Sequence, residues 1–251
     1  ISNPRGIAFN TDGTKMFVVG FSSDSVYEYP CTTGFDVSTC NAGSVVTFSV
    51  GIQEITPTGV TFNTDGTKMF VVGHAGKDVN EYTLSTGFDL SSTVTFVDAF
   101  DVSDQDTGPR GIAFNTDGTK MFVVGIANDN LNEYTCTTGF DISTCNAGSV
   151  VVFDVSNQDL YPSDITFNTD GTKMFVTGDT DDDINEYTLS TGFDLSSTVT
   201  FVDSFDVSGQ ETGPMDVAFN QNGTKMFVVG DNGNDVNEYI LEVGFDFDGV
   251  P

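Results

Sequence analysis

The chain has 251 residues, 38% of them apolar with 23 Phe and no Trp, and carries a formal charge of −29 from 37 acidic against 8 basic side chains. That length accommodates one large all-β domain or two smaller ones. A charge this negative excludes nucleic acid and anionic lipid as partners, since both require clustered Lys and Arg, and no apolar run reaches the ~18 residues of a membrane span, so membrane insertion is not expected. The charge suits a saline medium or divalent cations. The chain opens on Ile1 rather than Met, which reads as a processed piece or a segment of a longer repeat protein, and the lack of a visible leader carries no information.

The string NTDGTKMFVVG occurs at Asn10, Asn63 and Asn115 and returns slightly altered at Asn168 and Asn220. The preceding residues Phe9, Phe62, Phe114, Phe167 and Phe219 are spaced by 53, 52, 53 and 52 residues. A period of about 50 residues marks a repeat architecture. The repeats are 1–51, 52–104, 105–157, 158–209 and 210–251, read as one domain.

In the second repeat, Gly59 to Phe62 is a short alternating strand and Asn63-Thr64-Asp65-Gly66 a turn in which Gly accepts positive φ. Lys68 to Val72 is apolar on both faces, as a strand buried on both sides should be. A loop from Gly73 to Asp78 leads to a third strand, Val79 to Leu84. The turn Ser85 to Asp89 and a more polar fourth strand, Thr95 to Val102, complete the unit. Nothing has the helical period. Four antiparallel strands per unit, apolar inside and polar outside, predict an all-β propeller of five blades. After Tyr239 the sequence LEVGFDFDGVP offers no fourth strand. The last blade is therefore expected to be incomplete: three-stranded, completed by a partner, or completed by further chain.

The pair GIAFNTDGTKMFVVG resembles the Ser-Pro-Asp-Gly element of YVTN-type, WD40-like bacterial propellers, with Asn-Thr-Asp-Gly in its place. The following DVNEYTLSTGFD is similar to repeats of bacterial surface and phage structural proteins. The resemblance covers the whole chain and implies the propeller fold. It is weak for function, since such propellers host lectins, lactonases, scaffolds and surface-layer proteins.

Cys31, Cys40, Cys136 and Cys145 lie in two CTTGFD-x-STC segments of repeats one and three. Zinc sites use tighter pairs, so local disulfides Cys31–Cys40 and Cys136–Cys145 are expected, with reduced structural thiols as the alternative. Disulfides place the protein outside the cytosol, extracellular or at the cell surface.

Each repeat carries one Lys (Lys15, Lys68, Lys120, Lys173, Lys225) and one third-strand Glu (Glu28, Glu81, Glu133, Glu186, Glu238). One of each per blade is the stoichiometry of a cross-strand ion pair, read as structural. The Asp of each NTDGT turn lacks the flanking acids of a calcium loop and is read as a hairpin turn.

The loops between second and third strands differ among the copies, as do the blade-to-blade loops, and both sets emerge on one face. Variation confined to one face of a rigid scaffold suits a binding surface, with Phe21, His74, Asp129, Tyr161, Asp183 and Asp235 as candidate contacts. Free drift of exposed loops is the alternative. Phe21 and Tyr161 are the loop aromatics available to a sugar. Asp179, Asp181, Asp182 and Asp183 form the densest acidic cluster, a candidate Ca2+ site because oxygen-only ligands suit calcium, or simply a solvated acidic loop. No other cofactor is expected.

Catalysis has little support at this stage. No His pair, Ser-His-Asp set or nucleophile elbow is present, and the titratable groups recur in fives where a reaction centre is asymmetric. The expectation is a non-enzymatic binding or adhesion module whose partners are a protein or glycan ligand or copies of itself. The alternatives are a building block of an extracellular filament, surface layer or phage fibre, and a lactonase-like propeller hydrolase with a metal in its central channel.

Overall fold

The structure is a computed structural model and describes residues 1 and 3–247. Blade one comprises β1 (Pro4–Phe9), β2 (Lys15–Gly20), β3 (Ser25–Pro30) and β4 (Val46–Ser49). Blade two comprises β5 (Pro57–Phe62), β6 (Lys68–Gly73), β7 (Asp78–Leu84) and β8 (Val94–Asp101). Blade three holds β9 (Pro109–Phe114), β10 (Lys120–Gly125), β11 (Asn130–Thr135) and β12 (Val151–Asp154). Blade four holds β13 (Pro162–Phe167), β14 (Lys173–Gly178), β15 (Asp183–Leu189) and β16 (Val199–Asp206). Blade five has β17 (Pro214–Phe219), β18 (Lys225–Gly230) and β19 (Val236–Ile240). Every sheet is antiparallel in chain order, with four strands in blades one to four and three in the last. Among the described residues there is no α-helix, only 3-10 turns of three residues.

The Asn-Thr-Asp-Gly turn is built from its own side chains. Asn10 Oδ1 accepts from Lys15 N at 2.9 Å and Asp12 Oδ1 from Thr14 N at 3.0 Å. Gly13 has φ +71, and a Cβ there would lie 2.3 Å from the Phe35 ring, so only glycine fits. The Thr-Gly-Phe-Asp turn then docks on this one, Phe35 N donating to Gly13 O at 3.1 Å.

The five innermost strands form a closed ring in which β1 packs against β5 on one side and β17 on the other. Phenylalanine glues the blade interfaces. Phe62 lies 4.5 Å from Phe17 of the preceding blade and 5.3 Å from Phe88 of its own, between ring centroids. The same triplet recurs at every junction, including Phe9 against Phe227 at 4.6 Å, which closes the ring.

The shared Lys and Glu form the expected pair in all five blades, at 2.5 to 2.8 Å. Lys68 pairs in register with Thr83 and Phe70 with Glu81, so the ion pair is a diagonal across β6 and β7. Both partners also reach the next blade. Lys68 Nζ donates to Phe140 O and Glu81 Oε2 accepts from Ile142 N at 3.1 Å. Lys225 Nζ donates to Phe35 O at 2.6 Å and Glu238 Oε2 accepts from Val37 N at 3.1 Å, so the clasp also spans the junction of blades five and one. Both disulfides, Cys31–Cys40 and Cys136–Cys145, are formed. In blade two Ser85 and Thr93 hold the equivalent turn by hydrogen bonds instead.

Candidate active site

The central channel is lined by the inner strands, and one layer of it differs from blade to blade. Gly6, Gly59, Gly111, Asp164 and Asp216 hold the equivalent position of the five inner strands at that level. Glycine is required where the strands crowd: a Cβ on Gly59 would lie 2.7 Å from Arg110 O, and one on Gly111 2.6 Å from Asp164 Cα. Beside Gly111 the space is taken by the carboxyl group of Asp164, whose Oδ1 would lie 2.5 Å from a Cβ there.

The two acids are 4% and 5% exposed and close enough for the carboxyl of Asp216 to raise that of Asp164. Asp216 Oδ2 also accepts from Ile7 N of blade one at 2.9 Å, and Asp164 Oδ2 from Val217 N of blade five at 3.4 Å. Burial pushes Asp216 up to about 7. Burial, together with the neighbouring Asp216, pushes Asp164 well above the ordinary carboxylate range. Two like charges so close cannot both ionise in a dry site, so the pair shares a proton near neutrality.

These acids lie at the deep end of a cavity of about 320 Å3. Its wall is built of small side chains, with Ala8, Thr61, Ala113, Thr166 and Ala218 in the next layer. Its rim, at Thr116, Asn168 and Thr169, belongs to the Asn-Thr-Asp-Gly turns. At the other end Arg5 and Arg110 sit one residue before the glycine layer, at the register shift of their strands, and such bulges re-aim a side chain. Arg110 Nη1 lies 3.7 Å from Asp179 Oδ2 of blade four and 3.5 Å from Met215 Sδ of blade five, while Arg5 pairs with Asp231. These side chains bridge the ring at the end remote from the rim.

The residues singled out from the sequence as a binding face lie on the loops around that remote end. Phe21 packs under Arg5 at 4.4 Å from its guanidinium carbon. His74 is exposed, and Asp235 accepts from its neighbour Asn237 at 3.0 Å. Tyr161 is half-exposed and accepts at its carbonyl from Asp179 N at 3.3 Å. Asp129 has φ 55, and its carbonyl accepts from Val155 N at 3.1 Å. Asp183 is pushed up to about 6 by burial and by Asp159, and accepts from Asn185 Nδ2 at 2.8 Å. Of the acidic run, Asp179 turns to Arg110, Asp181 N donates to Asp159, and Asp182 accepts from Val207 N at its carbonyl. Among the described residues no group of three or more His, Cys, Asp and Glu is arranged to hold a metal ion. The channel itself offers two carboxyls already engaged with each other and with backbone N–H groups, which does not fit a divalent cation needing several oxygen ligands.

The molecule is thus a closed propeller with a buried acid pair in its channel. The chain belongs to the family "Lactonase, 7-bladed beta-propeller", which it matches over residues 60–243. Its fold is similar to that of a putative 6-phosphogluconolactonase from Bacteroides uniformis, at 15% identity and a TM-score of 0.54, over 93% of this chain and 65% of that one. It is also similar to a luciferin-regenerating enzyme, at 13% identity and a TM-score of 0.57, over 98% of this chain and 87% of that one. A chain of a nidogen/laminin complex shares the fold at 13% identity and a TM-score of 0.60, over 95% of this chain and 76% of that one. No curated protein matches the chain.

The family match corrects the expectation of a non-enzymatic binding module or structural building block. That expectation rested on titratable groups recurring in fives. Asp164 and Asp216 do not: aligning the repeats shows Pro-Arg-Gly, Pro-Thr-Gly, Pro-Arg-Gly, Pro-Ser-Asp and Pro-Met-Asp in turn. The asymmetry is confined to two inner-strand positions, whereas the loops vary in every repeat.

Proposed function

We propose that the protein is a lactone hydrolase whose proton-transfer groups are Asp216 and Asp164. The observation that carries this is the buried, proton-sharing acid pair at the deep end of the channel cavity. Asp216, the ionised member, takes a proton from water as the water oxygen bonds to the lactone carbonyl carbon and the carbonyl electron pair moves onto oxygen. Thr61 and Thr166 are the hydroxyl donors that the wall offers to this oxyanion. Collapse re-forms the carbonyl and breaks the ring C–O bond, and Asp164 gives its proton to the departing ring oxygen. The product is the open hydroxy acid. The proton gained by Asp216 returns to its neighbour Asp164.

The cavity, about 320 Å3, suits a single-ring lactone. Its lining contains no Lys, Arg or His, so in a chain of charge −29 an uncharged lactone is favoured over a phosphorylated one. The two disulfides support an oxidising, extracellular setting.

The test is hydrolysis of a panel of uncharged, phosphorylated and aliphatic lactones, followed by NMR, with Asp216→Asn and Asp164→Asn alongside. The expected result is catalysed opening of an uncharged lactone, with each variant slower by about 10²-fold or more and still folded, because an amide oxygen can keep accepting the backbone N–H. Variants as fast as the parent, or no lactone opened faster than in buffer, would overturn the reading.

A further inference from the structure

Among the described residues, four of the five blade junctions carry a plug and the fifth, between blades five and one, carries none. In blades one to four the outer strand runs on into Phe-x-Val-x-x-Gln-acid: Phe48 to Glu54, Phe100 to Asp106, Phe153 to Asp159 and Phe205 to Glu211. Each segment docks on the next blade through the same four contacts. The Phe meets a third-strand Tyr edge-on, with centroids 5.3 to 5.8 Å apart. The Val is wholly buried, as Val50 is beside Met69 and Val71. The Gln Oε1 accepts from the hydroxyl of that Tyr at 3.3 to 3.4 Å. The acid accepts backbone N–H groups of the next blade's loop, as Glu54 does from Ala75 and Gly76, and Glu211 from Asn232 and Gly233.

Blade one presents the same receptor, with no plug among the described residues. Met16, Val18 and Tyr29 stand where Met69, Val71 and Tyr82 stand in blade two. With Pro4, Val37 and Val236 they line a mostly apolar cavity of about 310 Å3. Beside it, β19 has no outer neighbour in its sheet among the described residues. Its strand is half-buried where β7 and β15 are buried under theirs, and Ile240 is 63% exposed.

We propose that this groove is a strand-acceptor site. Its ligand is an extended polypeptide segment with the pattern Phe-x-Val-x-x-Gln-Asp/Glu. The segment pairs antiparallel with the free N–H and C=O groups of β19 as a fourth strand of blade five and sets its Phe and Val against Tyr29, Met16 and Val18. The four occupied junctions define this chemistry. A folded second copy is a poor source of the ligand, because its own four segments are buried in its blade junctions.

The test is a fluorescent peptide spanning Thr198 to Glu211, titrated onto the whole protein by anisotropy, with hydrogen exchange on the complex. The expected result is saturable binding and slower exchange at Val236 to Ile240, with no change at Asp78 to Leu84. A peptide carrying Phe205→Ala and Val207→Ala should bind about tenfold more weakly or worse, as loss of two buried apolar side chains requires. Absence of binding, equal binding of the substituted peptide, or unchanged exchange at β19 overturns the proposal. So does self-association that the peptide fails to dissociate, which would give the groove to a second copy.

Discussion

Asp164 and Asp216 are neighbours across the junction of blades four and five, each pressing on the other's ionisation, at the level where the other three inner strands carry glycine. The two facts are linked. The strands come so close that a Cβ on Gly111 would sit 2.5 Å from Asp164 Oδ1, so glycine at 111 leaves the room that this carboxyl occupies.

Gly111→Ala therefore tests positioning without touching a titratable group. The new Cβ also meets Asp164 Cα at 2.6 Å, so rotation of a side chain cannot relieve it. Lactone turnover should fall by roughly tenfold or more, the scale of a small misplacement at a reacting centre. Gly209→Ala, where nothing lies within 4 Å, is the control and should leave both rate and melting temperature unchanged.

The acid pair also leaves a signature in stability. Its members hold protons in the folded state more tightly than in the unfolded chain, so between 3.8 and about 7 the folded state binds more protons and stability falls as pH rises. This contribution is fully present below 3.8 and is lost as pH rises through about 7. The melting temperature of the parent minus that of Asp164→Asn/Asp216→Asn should drop by several degrees between about pH 4 and pH 8. Taking the difference removes the opposite trend of the surface turns, where Asp12 and its equivalents are held below the usual range by Thr14 and its equivalents.

The Lys–Glu clasp should behave as structure. Lys120→Met leaves Glu133, 4% exposed at its side chain, without its partner at 2.7 Å and removes the bond to Phe193 O of blade four. A loss of about 2–3 kcal/mol is expected, because an uncompensated buried charge remains. Adding Glu133→Gln should restore part of it. Chemical denaturation measures both.

Each disulfide closes a turn of sequence separation 9. Opening one by Cys136→Ala/Cys145→Ala should cost about 2–3 kcal/mol. Cys136→Leu/Cys145→Thr should cost less, since blade two carries Leu84 and Thr93 at these two positions and holds the turn by hydrogen bonds of 2.9 and 3.0 Å between Ser85 and Thr93. Peptide mapping of the unreduced protein should recover Cys31 with Cys40 and Cys136 with Cys145.

Much of the architecture was legible because each blade repeats its own rules. Turn chemistry, the doubly apolar second strand, the Lys68–Glu81 diagonal and the paired cysteines are local, and five copies amplify a local pattern. The site was not legible in the same way. Its asymmetry occupies single positions in the inner strands, and a bulge at Arg5, Thr58, Arg110, Ser163 and Met215 shifts the alternation that would have pointed Asp164 and Asp216 inward. Only ring closure sets blade five against blade one, and with it Asp216 against Ile7. The loops vary from blade to blade, yet part of what they contain is structural: Glu54 and Asp159 are buried acceptors for the next blade's N–H groups.

The most direct measurement of the central claim is the pH dependence of kcat/KM for lactone opening by the parent and by Asp216→Asn. The account predicts a bell in the parent, its acidic limb set by ionisation of the pair near 7 and its alkaline limb by loss of the second proton from Asp164. In Asp216→Asn the acidic limb should vanish together with most of the rate. A parent profile that tracks the hydroxide-catalysed background, or a bell that survives in Asp216→Asn, would contradict it.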